Sequence, residues 1–397
     1  MKKTVILLFI IFLNIIAASA QVMLNYGATT NISDSVFVNV KGNLQNDASG
    51  IITNKGTIIL SGNFVNNSSF VSGIKSNVNL EGGLQDIGGS VSTTFNNVAV
   101  GGTDNKTISI DTKVDGKLKF TANKVIIGNN NLTLLPPATI TGFGNDHFVV
   151  TNGSGFLQKR ELAIGYDFIF PVGTDIDILN YKPVVLNYTG TTDTFSVRVE
   201  PGPSPIVGFT QPECVQYTYI VQEGVPGGNS ATLTLGWNHN TTDEGILFKE
   251  GDAMMWQFNG SSWNSLPGTV GFVPGMNGTD REYTTQNSAI TSFTGDKSRF
   301  LIKGEEETDL FVPDAFSPND DGHNDILFVR GGGINVLLFV VYDRWGEKVF
   351  ESSDILHGWD GTYKGAKATS SVYTYYVKAT YYSGKYVEKK GNVTLVR

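Results

Sequence analysis

Residues 40–44 read VKGNL, 60–64 read LSGNF and 80–84 read LEGGL. The glycines at 42, 62 and 82 fall twenty residues apart, each with an apolar residue two positions before and two after. Asn46, Asn66 and Asp86 keep the same offset, and Val114-Asp115-Gly116-Lys117-Leu118 repeats the pattern out of register. A fixed period near twenty marks stacked structural repeats. Three strands of about four or five residues, with short turns, fill one period. A single coil presents alternate side chains inward and cannot bury them alone, so coils stack. Residues 37–90 therefore predict a parallel β-solenoid, β-helix-like, placed at 21–160. Its asparagines are expected in turns, where they bond their own backbone and tolerate left-handed geometry. Its glycines are expected where neighbouring coils approach closely. A β-sandwich with hairpins of similar length is the competing reading of the same stretch.

Past Pro136-Pro137 and Lys159-Arg160 the period fades. Tyr166 to Val172, Val184 to Tyr188, Phe195 to Val199, Ala231 to Trp237, Ala253 to Phe258 and Arg299 to Lys303 read as strands between loops of Gly, Asn, Pro and Thr. No segment shows a helical period. Short alternating strands over 161–303 predict a β-sandwich. An acidic linker at 304–308 follows, with Glu305-Glu306-Glu307 at its centre, where clustered like charge keeps a chain extended.

The segment 309–397 is the most specific part of the sequence. Ala315-Phe316-Ser317-Pro318-Asn319 opens it, and an Arg344-Trp345-Gly346-Glu347 box and a Gly358-Trp359-Asp360-Gly361 box follow. It closes on VTLVR at 393–397. These motifs resemble the gliding motility-associated C-terminal domain of Bacteroidetes, the type B sorting domain of the type IX secretion system. The resemblance implies an Ig-like β-sandwich that acts as an export address. It implies a partner, the type IX machinery at the outer membrane, and a secreted or cell-surface destination. The motif residues it brings forward are Pro318, Asn319, Asp321, Gly322, Asn324, Asp325, Arg344, Trp345, Gly346, Gly358, Trp359, Asp360, Gly361 and Arg397. The phrase GIITNKGTIILSGNFVNN at 50–67 also looks like the low-charge β-helical stalks of large surface proteins of that phylum.

The other end of the sequence points the same way. Lys2 and Lys3 precede an apolar run from Val5 to Ile16, and Ala18-Ser19-Ala20 precedes Gln21. That is the layout of a signal peptide at 1–20, cleaved between Ala20 and Gln21. The run is shorter than the roughly twenty residues a membrane span needs. No transmembrane segment is expected after its removal.

Charged residues make up 17% of the chain, against roughly 25% in ordinary soluble domains, which suits an amide- and hydroxyl-surfaced all-β protein. The net charge of -8 leaves no basic stripe for nucleic acid. Cys214 is the single cysteine, so no intramolecular disulfide can form, and its setting before a strand-like run favours burial.

Catalytic signatures are sparse. The sequence holds no HExxH, GxSxG, P-loop or CxxC motif. The solenoid carboxylates, Asp34, Asp47, Glu81, Asp86, Asp104, Asp111, Asp115 and Asp146, are scattered, with Asp111 and Asp115 the closest pair. Trp237, Trp256, Trp263 and Tyr283 could stack on sugar but are expected in a core. The loop 319–325 offers Asn319, Asp321 and Asp325 as calcium ligands around a Gly322 turn. Its alternative is an Asx-rich turn whose side chains cap backbone amides. Trp345 and Trp359 are expected as core aromatics of the last domain. No resident cofactor is otherwise implied. The sequence thus reads as an exported adhesive or structural surface protein, with a surface glycan or a host or cell surface as its contact. The competing function is a carbohydrate-active enzyme, a polysaccharide lyase or glycoside hydrolase, on a β-helix scaffold.

Overall fold

The computed structural model describes residues 18–397 except 21, 163, 204–212, 226, 228, 247, 250–252, 259, 267, 272–278, 280, 286–289, 294–297, 305–307, 320, 333, 356 and 382–384. The expected signal peptide up to residue 17, Gln21 and the centre of the acidic linker thus lie outside the described residues. The structure is all-β, with one 3-10 turn, Ile178–Asn180, among the described residues. It opens with a parallel β-solenoid of about eight turns. Two compact units form: residues up to Ile246 with Met255–Ile302, and Leu247–Met254 with Lys303–Arg397.

The twenty-residue period is the register of the first sheet. Phe37–Val40, Thr57–Leu60, Asn77–Leu80 and Thr94–Val100 stack in parallel, with Val38 beside Ile58, Ile58 beside Val78, and Val78 beside Val98. A second parallel sheet starts at Met23–Tyr26, Leu44–Asp47 and Phe64–Asn66, and a third short one holds Thr29–Ile32, Ile51–Asn54 and Ser69–Ser72. Each strand turns alternate side chains inward, so Ile58 and Leu60 are buried between their neighbours. Phe64 is fully buried and meets Phe70 and Phe95 edge-on at 5.0 and 4.9 Å. The glycine column lies where coils touch, as expected. A Cβ on Gly62 would sit 2.4 Å from the carbonyl carbon of Gly42, and one on Gly82 would sit 1.9 Å from Ser61 O.

Two expectations about this repeat are corrected. Asn46 and Asn66 lie on strands and are buried, not in turns. Asn25 Nδ2 donates to Asn46 Oδ1 at 2.8 Å, Asn46 Nδ2 to Asn66 Oδ1 at 3.0 Å, and Asn66 Nδ2 to Thr93 Oγ1 at 3.0 Å. Stacked amides satisfy one another at the coil spacing, so a polar column survives inside the stack. Asp86 does not continue this column. The coil before it is longer, and Asp86 N–H donates to Asn63 Oδ1, twenty-three residues back. Gly116, whose repeat is out of register in the sequence, sits at a bulge inside the strand Thr112–Phe120, where a Cβ would meet Asn96 O at 2.7 Å.

A second polar column had no visible signal in the sequence. Gln85 Nε2 donates to Leu60 O and Gly62 O at 3.0 and 2.6 Å. One coil on, at the same register, buried Lys106 Nζ donates to Gly82 O, Gly83 O and Asp104 O at 3.0, 2.8 and 2.6 Å. These side chains bond turn carbonyls inside the stack, among them Gly62 O and Gly83 O, while Leu60 O and Gly82 O also accept the backbone N–H of Glu81 and Thr103. Lys124 and Lys159 do the same to Asp146 O and Ala138 O, at 3.1 and 2.9 Å.

Parallel pairing continues in the second sheet to Val149 beside Val172. In the first sheet, Leu157–Lys159 pairs in parallel with Leu132–Leu134 and antiparallel with Phe195–Pro201. One sheet therefore passes from solenoid coils into antiparallel strands, then through Tyr217–Glu223 and Arg299–Gly304 to Ala253–Phe258. A five-stranded antiparallel sheet, containing Val184–Gly190, Asn229–Trp237 and Arg281–Thr285, faces it. Phe195 meets Tyr188 across the layers at 5.0 Å and Phe293 at 5.7 Å. Trp237 and Trp263 are buried, Trp256 is half-buried, and Cys214 is buried against Phe258, Trp263 and Leu301. The turn after Ala253–Phe258 returns as Trp263–Leu266, with Phe258 beside Trp263. The Tyr283 side chain lies outside the described residues.

The second unit is built on a five-stranded sheet. Its strands run in the order Ala315–Phe316, Tyr386–Leu395, Ser371–Tyr381, Ile334–Tyr342, Lys348–Ser352, with a two-stranded ribbon at Thr362–Tyr363 and Ala366–Lys367 beside it. Ala315–Phe316 joins Tyr386–Leu395 in parallel, and the other pairings are antiparallel. Leu310, Val312, Phe316, Leu327, Phe339, Val341, Trp359, Val377 and Leu395 belong to one buried cluster.

Candidate functional site

Three of the four sequence motifs of 309–397, the opening, the Gly358–Gly361 box and the closing residues, converge through direct contacts. Trp359 is buried and packs against Phe316 at 5.3 Å and Tyr373 at 4.8 Å. Its Nε1 donates to Thr362 O at 2.8 Å, and its backbone exchanges hydrogen bonds with Leu327 at 2.9 and 2.8 Å. Asp360 Oδ1 accepts from the Thr362 N–H and hydroxyl, which sets the turn after the tryptophan. Gly361 takes φ +74°, and a Cβ there would meet Pro318 Cγ at 2.9 Å, Leu395 Cδ1 at 3.0 Å and Arg397 Nη2 at 3.1 Å. A Cβ on Gly358 would sit 2.4 Å from Leu327 O. Gly361 is a space that the opening and closing motifs fill, and Gly358 one filled by the segment 326–328.

The Asn/Asp loop is a turn closed on itself. Asp325 accepts from Asn319 N–H on Oδ1 and from Gly322 N–H on Oδ2, at 2.9 and 2.7 Å. Asp321 accepts from Asn319 Nδ2 on Oδ2 and from His323 N–H on Oδ1, both at 2.8 Å. Asn319 Oδ1 in turn accepts from Asp321 N–H at 3.2 Å. Gly322 and Asn324 hold φ of +84° and +53°, which reverses the chain. Every oxygen of the Asp321 and Asp325 carboxylates accepts an N–H of the loop, so its side chains cap its own amides, as the Asx-rich turn alternative expects. Among the described residues no group of three acidic, histidine or cysteine side chains is placed to hold a metal ion. Asp320 lies outside the described residues.

The Arg344-Trp345-Gly346-Glu347 box corrects an expectation. Trp345 is 80% exposed, at the tip of the hairpin between Ile334–Tyr342 and Lys348–Ser352, and belongs to no core. Asp343 explains why. Its Oδ1 accepts the N–H groups of Trp345 and Glu347 at 2.8 Å each, and Gly346 at φ +79° completes the reversal. The tip is built from turn bonds, and the ring projects from it. The Arg344 guanidinium lies 5.1 Å from the Trp345 ring centroid, a cation–π contact. Glu347 points back to the ribbon, where its Oε1 accepts from the Tyr363 hydroxyl at 2.6 Å and from Lys364 Nζ at 3.0 Å. Those hydrogen bonds, Tyr363 first, hold the Glu347 carboxyl below its ordinary range, and the Tyr363 and Glu347 partners push Lys364 up. A cleft of about 300 Å³ opens here, lined by Arg344, Trp345, Val349, Tyr363, Lys367 and Tyr373 among others. Tyr363, Lys364, Lys367 and Tyr373 were not singled out from sequence, because they lie outside the named boxes.

The sheet, the buried Trp359, Pro318 and Gly361 all fall within one stretch, and Arg397 lies two residues beyond it. Residues 310–395 match the family model described as the CHU_C Type IX secretion signal domain. The chain carries a type IX secretion signal domain. The protein is therefore marked for export to the cell surface or beyond, and the signal domain implies contact with the secretion machinery. No curated protein matches the chain. Among the described residues no helix is long and apolar enough to cross a membrane.

Four of the eight solenoid carboxylates are held by a neighbouring coil. Asp47 Oδ1 accepts from Asn67 Nδ2, Asp111 Oδ1 from Asn131 N–H, and Asp115 Oδ1 from Asn96 Nδ2, at 2.7, 2.7 and 2.8 Å. Asp86 Oδ1 accepts the hydroxyls of Thr107 and Ser109, both at 2.7 Å. Each of these bonds ties one coil to the next. Around the expected cleavage position, Ala18–Ala20 is a short strand with Ala20 beside Val40, and Gln21 lies outside the described residues.

Proposed function

We propose that this chain is an adhesive or structural protein of the outer cell surface, with the solenoid as its stalk or contact face and the signal domain as its ticket across the outer membrane. The observation that supports this reading is the fate of the solenoid carboxylates. Asp47, Asp86, Asp111 and Asp115 are rungs between coils. A glycoside hydrolase needs two carboxyl groups roughly 5–10 Å apart and free to exchange protons with a substrate. Carboxylates already holding amides and hydroxyls are poorly suited to that work. What the solenoid offers instead is a low-charge surface of amides and hydroxyls, suited to polar contact with a glycan or a neighbouring cell.

On this reading residues 1–20 are a signal peptide removed between Ala20 and Gln21. The solenoid, middle and signal segments divide at about the 160, 303 and 309 positions, and 309–397 folds as an Ig-like unit. The test is a binding screen of the exported chain against surface glycans and whole cells, run beside a polysaccharide turnover assay. Binding without turnover supports the proposal. Release of new sugar ends by the wild-type chain would replace it with the carbohydrate-active enzyme.

A further inference from the structure

Lys182 and Asp243 meet inside the first unit, Nζ to Oδ2 at 2.9 Å, with both side chains wholly shielded from solvent. Lys182 stands just before the strand Val184–Gly190, and Asp243 lies in the turn region after Asn229–Trp237. Those two strands pair along their length, from Val184 beside Leu235 to Gly190 beside Asn229. The amine is held on several sides. Nζ donates to Leu179 O and to Tyr181 O, the latter at 3.3 Å, and the Tyr217 ring covers it at 4.6 Å. The carboxylate is held as firmly. Its Oδ2 accepts from Asn238 N–H at 2.7 Å, and the Tyr217 hydroxyl that donates to Asn180 Oδ1 stands beside it.

Two full charges in such a place are costly, because desolvation of each ion opposes their attraction. Burial drives the Lys182 amine below its ordinary range, against the pull of Asp243. Passing one proton from the amine to the carboxyl removes both charges. A neutral amine keeps two N–H groups, which the Leu179 and Tyr181 carbonyls accept, and its lone pair is left facing Asp243. A desolvated lysine is a nucleophile, and two groups held in contact react as though at very high concentration.

We propose that Lys182 and Asp243 condense into an amide cross-link within the folded chain. The Nζ lone pair attacks Asp243 Cγ and forms the N–C bond. The tetrahedral intermediate breaks one C–O bond, and that oxygen departs as water, carrying the carboxyl proton and one proton from nitrogen. One ammonium and one carboxylate become one amide and one water, with no oxidant, reductant or cofactor. The link would close the chain between two paired strands of a protein whose one cysteine cannot form an internal disulfide.

Mass spectrometry of the purified, folded full-length chain tests this. The expected wild-type mass is lower than the sequence mass by one water, and a digest contains a branched peptide joining Lys182 to Asp243. Asp243→Asn is expected to reach the same product by losing ammonia. The double variant Lys182→Met with Asp243→Leu removes both charges together, avoids stranding one of them, and is expected to keep its full sequence mass. Recovery of Lys182 and Asp243 on separate, unmodified peptides from folded wild-type chain would overturn the proposal and leave a buried ion pair only.

Discussion

Arg397 Nη2 donates to the carbonyl of Gly361 at 2.7 Å, so the last side chain of the sequence is fastened to the tryptophan box. Pro318 and Leu395 close the same junction, each within contact distance of the position a Gly361 Cβ would take. Three motifs separated along the chain thus share one small volume. Their residue types follow from that geometry: a glycine at positive φ, a ring beside it, and a long cation that shares the Gly361 carbonyl with the Ala368 N–H.

The two tryptophans of the signal domain should separate cleanly. Trp359→Ala removes a buried ring and its Nε1 bond, and should cost about 3–5 kcal/mol. Trp345→Ala removes an exposed ring and should change stability by no more than about 0.5 kcal/mol. Urea unfolding of the full-length variants reads both. Equal losses would contradict the burial described for them.

In the solenoid, Asn46→Ala breaks the amide column on both sides. It takes one of two acceptors from Asn25 Nδ2, which keeps Ala28 O, and one of two donors from Asn66 Oδ1, which keeps the Ser68 N–H, and should cost about 1–3 kcal/mol. Phe64→Asp should be worse, because it places a charge against Phe70 and Phe95. Thermal melts give the order. An unchanged transition for Phe64→Asp would mean the side chain does not face inward.

Glu347 gives a pH signature. Its folded carboxyl sits below its ordinary range because Tyr363 and Lys364 bond it. A depressed carboxylate contributes stability that is fully present above the unfolded value and fades as pH falls through the folded value. The group is fully exposed, so the contribution is small and the titration itself is the readout. Carbon-detected NMR should show the Glu347 midpoint rising in Tyr363→Phe, the substitution that removes the first of its bonds. A midpoint that stays put would show that Tyr363 does not set it.

Deleting 309–397 should leave the rest of the chain in the periplasm of a type IX-competent host, and the same segment behind a signal peptide should carry a fluorescent protein outward. Surface immunolabelling and fractionation read the result. Normal surface delivery of the deletion would separate export from the signal domain altogether.

The solenoid was legible because a repeated backbone register imposes a repeated apolar pattern, as at Val38, Ile58, Val78 and Val98. The place of Asn46 was not legible. Turns and buried amide columns ask for the same residue, and only the stacking distance between coils tells them apart. Trp345 and Trp359 posed a similar problem, since both stand beside glycine in short boxes. What separates them is Asp343, whose carboxylate folds the first box into a hairpin tip, while Leu327 pairs with the second from a distant segment. The Asn/Asp loop offered oxygens for a cation or for a turn, and the N–H bonds that Asp325 accepts from Asn319 and Gly322 became visible only in the folded loop. Lys182 and Asp243 gave no sign in the sequence, because nothing local links them and their meeting depends on the tertiary fold.

The parallel pairing of Ala315–Phe316 with Tyr386–Leu395 has a further meaning for how the signal is made. A strand that opens the signal domain takes its place only on one supplied near residue 395. Any translation product broken off before Thr394 lacks the partners of Ala315 and Phe316, and the Arg397 clasp as well. The export mark is therefore assembled late: its opening strand has nowhere to dock until Thr394 and Leu395 have been made, and a chain abandoned earlier carries no finished address.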